Sequence, residues 1–134
     1  MQPVTAEPLE CLFEGVAVQI RGNPAVTVSS IATDSRRLRP GALFFALRGE
    51  RADGHDFASA AAAAGAAGVV AEREVAVPEG VAVVIVPDTL AALSNVAARF
   101  YDDPSRRMVT VGVTGTNGKT TTTFFIEAVA RAAG

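Results

Sequence analysis

Three apolar runs of strand length stand out along the chain: Ala42–Leu47 (ALFFAL), Val81–Val86 (VAVVIV) and Met108–Val113 (MVTVGV). The second is continuous and β-branched, with no polar alternation. It predicts a strand covered on both faces, as in a parallel sheet. Val26–Ile31 alternates and predicts a shorter strand, and Gly68–Ala71 (GVVA) another. Met108–Val113 predicts a further buried strand. Helical spacing fills the intervals. Asp56 is placed to cap or charge an alanine-rich helix that ends near Gly65 or Gly68. Leu90, Leu93, Ala97 and Phe100 recur three or four apart after Pro87-Asp88 and predict one apolar stripe. Asp102-Asp103-Pro104-Ser105 stops that helix. A last helix is expected over Lys119–Ala133, with Ile126, Val129, Ala130 and Ala133 on one side.

Strands alternating with helices give an α/β class. The charged, proline-containing segment Asp102–Arg107 marks a boundary. It divides the chain into a small α/β domain, residues 1–105, and the opening of a second domain, residues 106–134. One strand and one helix cannot cover their own apolar surface, so the second part is expected to belong to something larger.

Composition removes several function classes. The 134 residues carry a net charge of −2, which leaves no basic excess for a nucleic-acid backbone. One cysteine and one histidine exclude an intrachain disulfide and a Cys- or His-rich metal cluster. Cys11 is expected to be a small buried hydrophobe, and His55 a cap or structural donor with no catalytic role. The N-terminus has no basic leader and carries Glu7, Glu10 and Glu14, unlike a signal peptide. The alanine-rich window falls short of a membrane span. A reducing cytoplasm is the expected compartment, with no membrane partner.

The chemistry concentrates at residues 112–123, GVTGTNGKTTTT. A phosphate loop needs glycines where backbone N–H groups converge on an anion. It needs a helix starting there, so that free N–H groups and the dipole face the charge. It also needs a lysine and a hydroxyl for the terminal phosphates and Mg²⁺. Gly115 and Gly118 bracket Thr116-Asn117, and Lys119 and Thr120 open the predicted helix. Asn117 tolerates the left-handed conformation a tight loop can require. The strict Walker A glycine is replaced by Val113, which fits if the preceding strand continues to that residue. The alternative is a glycine-rich turn with a surface lysine. Of Thr121, Thr122 and Thr123, some are expected to face a nucleotide and others to bond back to helix carbonyls. The loop by itself does not separate ATP from GTP.

TGTNGKTTTT after an apolar strand resembles the ATP loop of the Mur ligases, cytoplasmic enzymes that build the peptidoglycan stem peptide. The resemblance extends to Thr33-Asp34-Ser35-Arg36, to Pro40–Leu47, and to Gly49 with Asp53-Gly54-His55. Phe100–Ser105 followed by Val111–Asn117 is more similar to the MurE type than to the MurF type. Gly49-Glu50-Arg51 with Asp53–Phe57 has some MurF character. Residues 1–25 contribute no motif.

This resemblance implies a UDP-substrate-binding first domain followed by the first strand, phosphate loop and helix of a Rossmann-like ATPase domain. It implies ATP and Mg²⁺ as cofactors. Gly115, Thr116, Asn117, Gly118, Lys119, Thr120 and Thr121 would hold ATP, with Thr120 on the metal. Asp34, Ser35, Arg36, Glu50, Arg51 and Ala52 would hold the uridine diphosphate end of UDP-N-acetylmuramoyl-L-alanyl-D-glutamate. The residues themselves leave two readings open. Arg36 can grip phosphate in a bidentate way, or pair with Asp34 to fix the loop while Ser35 caps it. Glu50–Ala52 is a ligand loop or a solvated turn. The implied reaction joins an amino acid, lysine or meso-diaminopimelate, to the substrate carboxyl through an acyl phosphate. The alternatives are D-alanyl-D-alanine addition and a non-catalytic nucleotide-binding module. The acidic metal ligand, the modified lysine and the amino-acid site of the family have no counterpart here. The chain is therefore expected to be an inactive fragment of a monomeric enzyme.

Overall fold

A computed structural model describes residues 6–16 and 18–134. Seven strands and four helices follow in order. These are β1 (Glu7–Pro8), α1 (Leu9–Leu12), β2 (Gln19–Arg21), β3 (Thr27–Val28), β4 (Ser30–Ala32), β5 (Ala42–Phe45), α2 (Ala58–Ala63), β6 (Gly68–Ala71), β7 (Ala82–Ile85), α3 (Thr89–Phe100) and α4 (Lys119–Ala133). The chain separates into two compact units between Asp103 and Pro104.

The first unit is built on a five-stranded sheet of order β2-β7-β6-β5-β4. Strands β4 to β7 are mutually parallel, and β2 closes one edge antiparallel to β7. A separate two-stranded ribbon pairs β1 with β3. The alternating strand (26–31) therefore splits at Ser29, giving Thr27–Val28 to the ribbon and Ser30–Ala32 to the main sheet.

Each strand divides its side chains between two cores, because successive residues point to opposite faces. Leu43, Phe45, Val70 and Val84 face α1 and α3 and pack with Leu9, Leu12, Val96 and Phe100. Phe44, Ala46, Val69 and Ala71 face Ala58 and Ala61 of α2, with Val75 and Val77 against the rim. The covered sheet expected from VAVVIV is present, as Ala82–Val84 are buried.

Helix α3 buries Thr89, Ala92, Val96 and Phe100, so of the expected stripe Phe100 is buried and Leu93 packs against the core, while Leu90 and Ala97 are not buried. Leu90 is 63% exposed. The carboxylate of Asp88 accepts from the Ala91 N–H and fixes the helix start, which places Thr89 and not Leu90 on the buried face. The alanine-rich helix is preceded by a 3-10 turn, Gly54–Phe57, capped by Asp53 and not by Asp56. Cys11 is exposed, contrary to the sequence expectation, because the short helix α1 turns Leu9 and Leu12 inward instead. Asp102 and Asp103 end α3 with φ of 59° and 45°. Their N–H groups cap the carbonyls of Arg99 and Ala98. Aspartate is one of the few residues that adopt this conformation readily.

The second unit contains α4 and a 3-10 turn over Pro104–Arg107. Met108–Val113 is not a strand, and Val109 is 94% exposed. An apolar run becomes a strand only when a neighbour completes its hydrogen-bond ladder, and none among the described residues pairs with it. No helix among the described residues is long and apolar enough to cross a membrane.

Candidate functional site

Four parallel strands end at one edge of the sheet, so the segments that follow them gather there. Asp34–Arg37 follows β4, Ala46–Phe57 follows β5, Glu72 and Arg73 follow β6, and Asp88-Thr89 follows β7. Ligand sites on open α/β sheets are built at this edge.

After β4, a 3-10 turn over Ser35–Arg37 is capped by Asp34, whose Oδ1 accepts from the Arg36 N–H at 3.0 Å. The Arg36 guanidinium folds back onto the same carboxylate, Nε to Oδ1 at 2.9 Å and Nη2 to Oδ2 at 2.8 Å. Hydrogen bonds to Arg36 hold the Asp34 carboxyl at about 2, below its ordinary value. The loop-fixing ion pair is thus formed, with Asp34 and not Ser35 as its cap. Arg36 remains 86% exposed on its side chain. Breaking its pair in exchange for a phosphate would cost little in such a setting.

The segment after β5 is a small closed loop. Arg48 bridges to Asp53, and the Gly49 N–H donates to the Ala52 carbonyl at 2.9 Å. Gly54 N–H returns to the Leu47 carbonyl at 2.8 Å. A Cβ on Gly54 would lie 2.5 Å from that oxygen, so only glycine fits. Glu50, Arg51 and Ala52 form the exposed tip.

Beneath the tip lies a polar network that the sequence reading did not find. His55 is buried, and its Nε2 accepts from the Glu72 backbone N–H at 2.9 Å. Its Nδ1 must then carry the proton that meets Asp53 Oδ1 at 2.5 Å. Asp53 Oδ2 also accepts from Arg73 at 3.1 Å. Glu72 Oε1 receives both the N–H and the hydroxyl of Thr89, each at 3.1 Å, and Glu72 Oε2 pairs with Arg48 Nε at 3.2 Å. Asp53 is held below the ordinary carboxylate range, chiefly by the His55 backbone N–H and then by its ring. Glu72 is lowered chiefly by the Thr89 backbone N–H. Arg48, Glu72, Arg73 and Thr89 carry no local motif. The usable signal was positional: each lies immediately after a predicted parallel strand or at the start of the helix that follows one.

In the second unit, Gly118 caps α4 in the left-handed conformation, φ 75°, and Gly115 has φ 147°. Asn117 does not take a positive φ; the neighbouring glycine supplies it at no steric cost. No side chain caps this helix. The first intrahelical bond runs from Thr122 N–H to the Gly118 carbonyl. The N–H groups of Lys119, Thr120 and Thr121 therefore precede the helical ladder, as a site for an anion requires. Lys119 Nζ reaches back to the Gly115 carbonyl at 2.5 Å, so its ammonium lies over the loop. The Thr123 hydroxyl donates back to the Thr120 carbonyl at 2.6 Å, which commits its proton to the helix backbone. A free helix start, an ammonium and the Thr120 hydroxyl form a donor set that fits a nucleotide phosphate with its Mg²⁺.

Comparison with known proteins matches residues 27–101 to the Mur ligase family, catalytic domain. The UDP-N-acetylmuramoyl-L-alanyl-D-glutamate–2,6-diaminopimelate ligase of Geobacillus thermodenitrificans is 49% identical over 120 residues, covering 90% of this chain and 24% of that protein. The enzyme of the same name from Caldanaerobacter subterraneus is 40% identical over 118 residues, 88% of this chain and 24% of the relative. Among solved structures, the UDP-N-acetylmuramoylalanyl-D-glutamyl-2,6-diaminopimelate–D-alanyl-D-alanyl ligase of Acinetobacter baumannii superposes with a TM-score of 0.71 at 30% identity. That match covers 90% of this chain and 27% of that one. The chain spans about a quarter of the length of the curated relatives it matches.

Proposed function

Because the chain belongs to the Mur ligase family, we propose that it forms the N-terminal part of an ATP-dependent cytoplasmic ligase of the MurE type. This enzyme adds the third amino acid to UDP-N-acetylmuramoyl-L-alanyl-D-glutamate. Diaminopimelate is the first candidate for that amino acid, from the names of the relatives, with lysine as the alternative. The observation that carries the reading is the helix start at Lys119, glycine-capped and free of side-chain caps, in a family of ligases.

In this reading the two units divide the work. The tip Glu50–Ala52 and the turn Asp34–Arg36 hold the uridine diphosphate end at the carboxyl edge of the sheet. Arg36 exchanges its Asp34 contacts for phosphate oxygens, in the bidentate geometry a guanidinium offers. Backbone N–H groups from Gly115 to Gly118 and at the start of α4 orient the phosphates of ATP. Lys119 would exchange the Gly115 carbonyl for phosphate oxygens and neutralise their charge, and the Thr120 hydroxyl would hold Mg²⁺. Bound ATP supplies the γ-phosphoryl group that turns the substrate carboxyl into an acylating agent. The contribution of these residues is positioning and charge neutralisation.

The test is ligation by the full-length protein with UDP-N-acetylmuramoyl-L-alanyl-D-glutamate, ATP and each candidate amino acid. Product with diaminopimelate or lysine supports the reading. A MurF-type activity is the second reading, since the superposed structure is such an enzyme. Turnover only with the tripeptide substrate and D-alanyl-D-alanine would replace the first reading with this one. No ATP-dependent ligation at all would leave a binding module.

A further inference from the structure

His55 sits at the centre of the polar network and touches no exposed surface, as its side chain is fully buried. Its two ring nitrogens make different bonds to different elements. Nε2 takes the backbone N–H of Glu72 at the end of β6. Nδ1–H holds Asp53, the residue that closes the loop whose tip is Glu50–Ala52. Glu72 continues the chain of bonds to Arg48 on the other side of the loop base and to Thr89 at the start of α3. Both ends of the loop are thereby anchored, one through Asp53 and one through Arg48, and both anchors converge on residues bonded to or through His55. Among the described residues the tip is tied by the Gly49–Ala52 backbone bond.

We propose that His55 is a positioning residue for the nucleotide-sugar substrate: as a neutral Nδ1–H imidazole it locks the Arg48–Asp53 loop to the strand ends, in the shape that receives a uridine diphosphate. This rests on the reading of Glu50–Ala52 as part of the substrate site. His55 does not contact the ligand. It fixes the groups that do, and so cuts the ordering cost of binding. An aliphatic residue would fill the same buried space but leave the Glu72 N–H and one Asp53 lone pair without partners.

The test uses UDP as the probe. Its affinity is measured by calorimetry on the wild-type full-length protein and on His55→Leu, His55→Gln and Arg48→Gln, alongside thermal unfolding of each and the KM for ATP. We expect His55→Leu to weaken UDP binding roughly tenfold, the loss of about one well-made hydrogen bond. His55→Gln, which can still accept from the Glu72 N–H, recovers part of that loss. Arg48→Gln, at an exposed position, weakens UDP binding without depending on the core. The KM for ATP stays within about twofold throughout. A residue that only supported the fold would lower the unfolding temperature and leave the UDP affinity of the folded protein unchanged, and that result overturns the proposal. His55 is the only histidine of these 134 residues. Nitrogen-15 spectra of the full-length protein, with the His55 ring signals assigned by their loss in His55→Gln, read its tautomer directly. An Nε2–H or a charged imidazole at neutral pH would also overturn the proposal. If wild-type protein does not bind UDP, the substrate-site reading itself fails; if it binds and the variants bind equally well, only the role of His55 does.

Discussion

Val81–Val86 and Met108–Val113 look alike as sequence, yet they have opposite fates. The first becomes β7, laddered to β6 on one side and β2 on the other, with Val84 fully buried. The second forms no strand and pairs with none among the described residues, and Val109 and Val111 are exposed. The intrinsic preference for strand is the same in both; the neighbours differ. The same contrast holds for the helices. Six-residue α2 buries Ala58, Ala61 and Ala62 against the sheet, whereas fifteen-residue α4 has no buried residue. The first unit is specified by packing. The second is specified by local signals, namely glycines, a helix start and side-chain pairs one turn apart.

The sharpest way to break this contrast is to truncate an apolar side chain in each unit. Phe45→Ala, in the main core, should destabilise the first unit by about 3–5 kcal/mol, read by denaturant unfolding. Val109→Ala should change stability by less than about 0.5 kcal/mol. Equal losses would mean that the second apolar run is packed after all.

Glycine substitutions come next in size. Gly54→Ala drives a Cβ into the Leu47 backbone and should cost roughly 1–3 kcal/mol, the usual range for overpacking. It should also displace the Arg48–Asp53 loop, seen as amide shifts there. Gly118→Ala meets open space and only the penalty of a positive φ. It should cost about 1 kcal/mol, confined to the start of α4. A global loss from Gly118→Ala would contradict the division into units.

Acid should act on the first unit through the lowered carboxylates Asp34, Asp53 and Glu72. Their folded pKa values lie below the unfolded ones. Their contribution is therefore complete above the ordinary carboxylate range of about 4. It is lost as pH falls from there through the folded values, about 2 for Asp34. The unfolding midpoint should fall over that window, and Asp53→Asn should flatten the fall. A midpoint that does not change below pH 4 would contradict the network.

The smallest effect belongs to the Glu127–Arg131 pair on α4, where Nη2 meets Oε1 at 2.7 Å. Exposed pairs four apart are worth about 0.3–0.5 kcal/mol. Glu127→Gln should lower the helicity of residues 119–133 slightly by Cα chemical shifts and leave the first unit unchanged.

How much of this was legible in the sequence follows the same divide. Strands β5, β6 and β7 announce themselves because buried parallel strands are continuous apolar runs. Residues before 26 do not. Helix α1 has four residues, too few for a period, and β2 is an edge strand of polar and half-buried residues defined by its pairing with β7. On α3, Leu93 and Phe100 were legible as core-facing but Thr89 was not, because Leu90 outweighs it in hydrophobicity while the Glu72 carboxylate draws Thr89 inward. At the site, glycines and lysine mark the second unit locally. The Asp53–His55–Glu72–Thr89 network was invisible because only the parallel sheet brings its members together.

The account stands on the claim that the start of α4 grips the phosphates of ATP through Lys119 and free amides, separately from the nucleotide-sugar loops of the first unit. Lys119→Ala in the full-length protein tests it most directly. Steady-state kinetics should show kcat/KM for ATP reduced at least roughly a hundredfold, on the scale of losing a transition-state charge contact, with the affinity for UDP within about twofold of wild type. An unchanged kcat/KM for ATP would contradict the account.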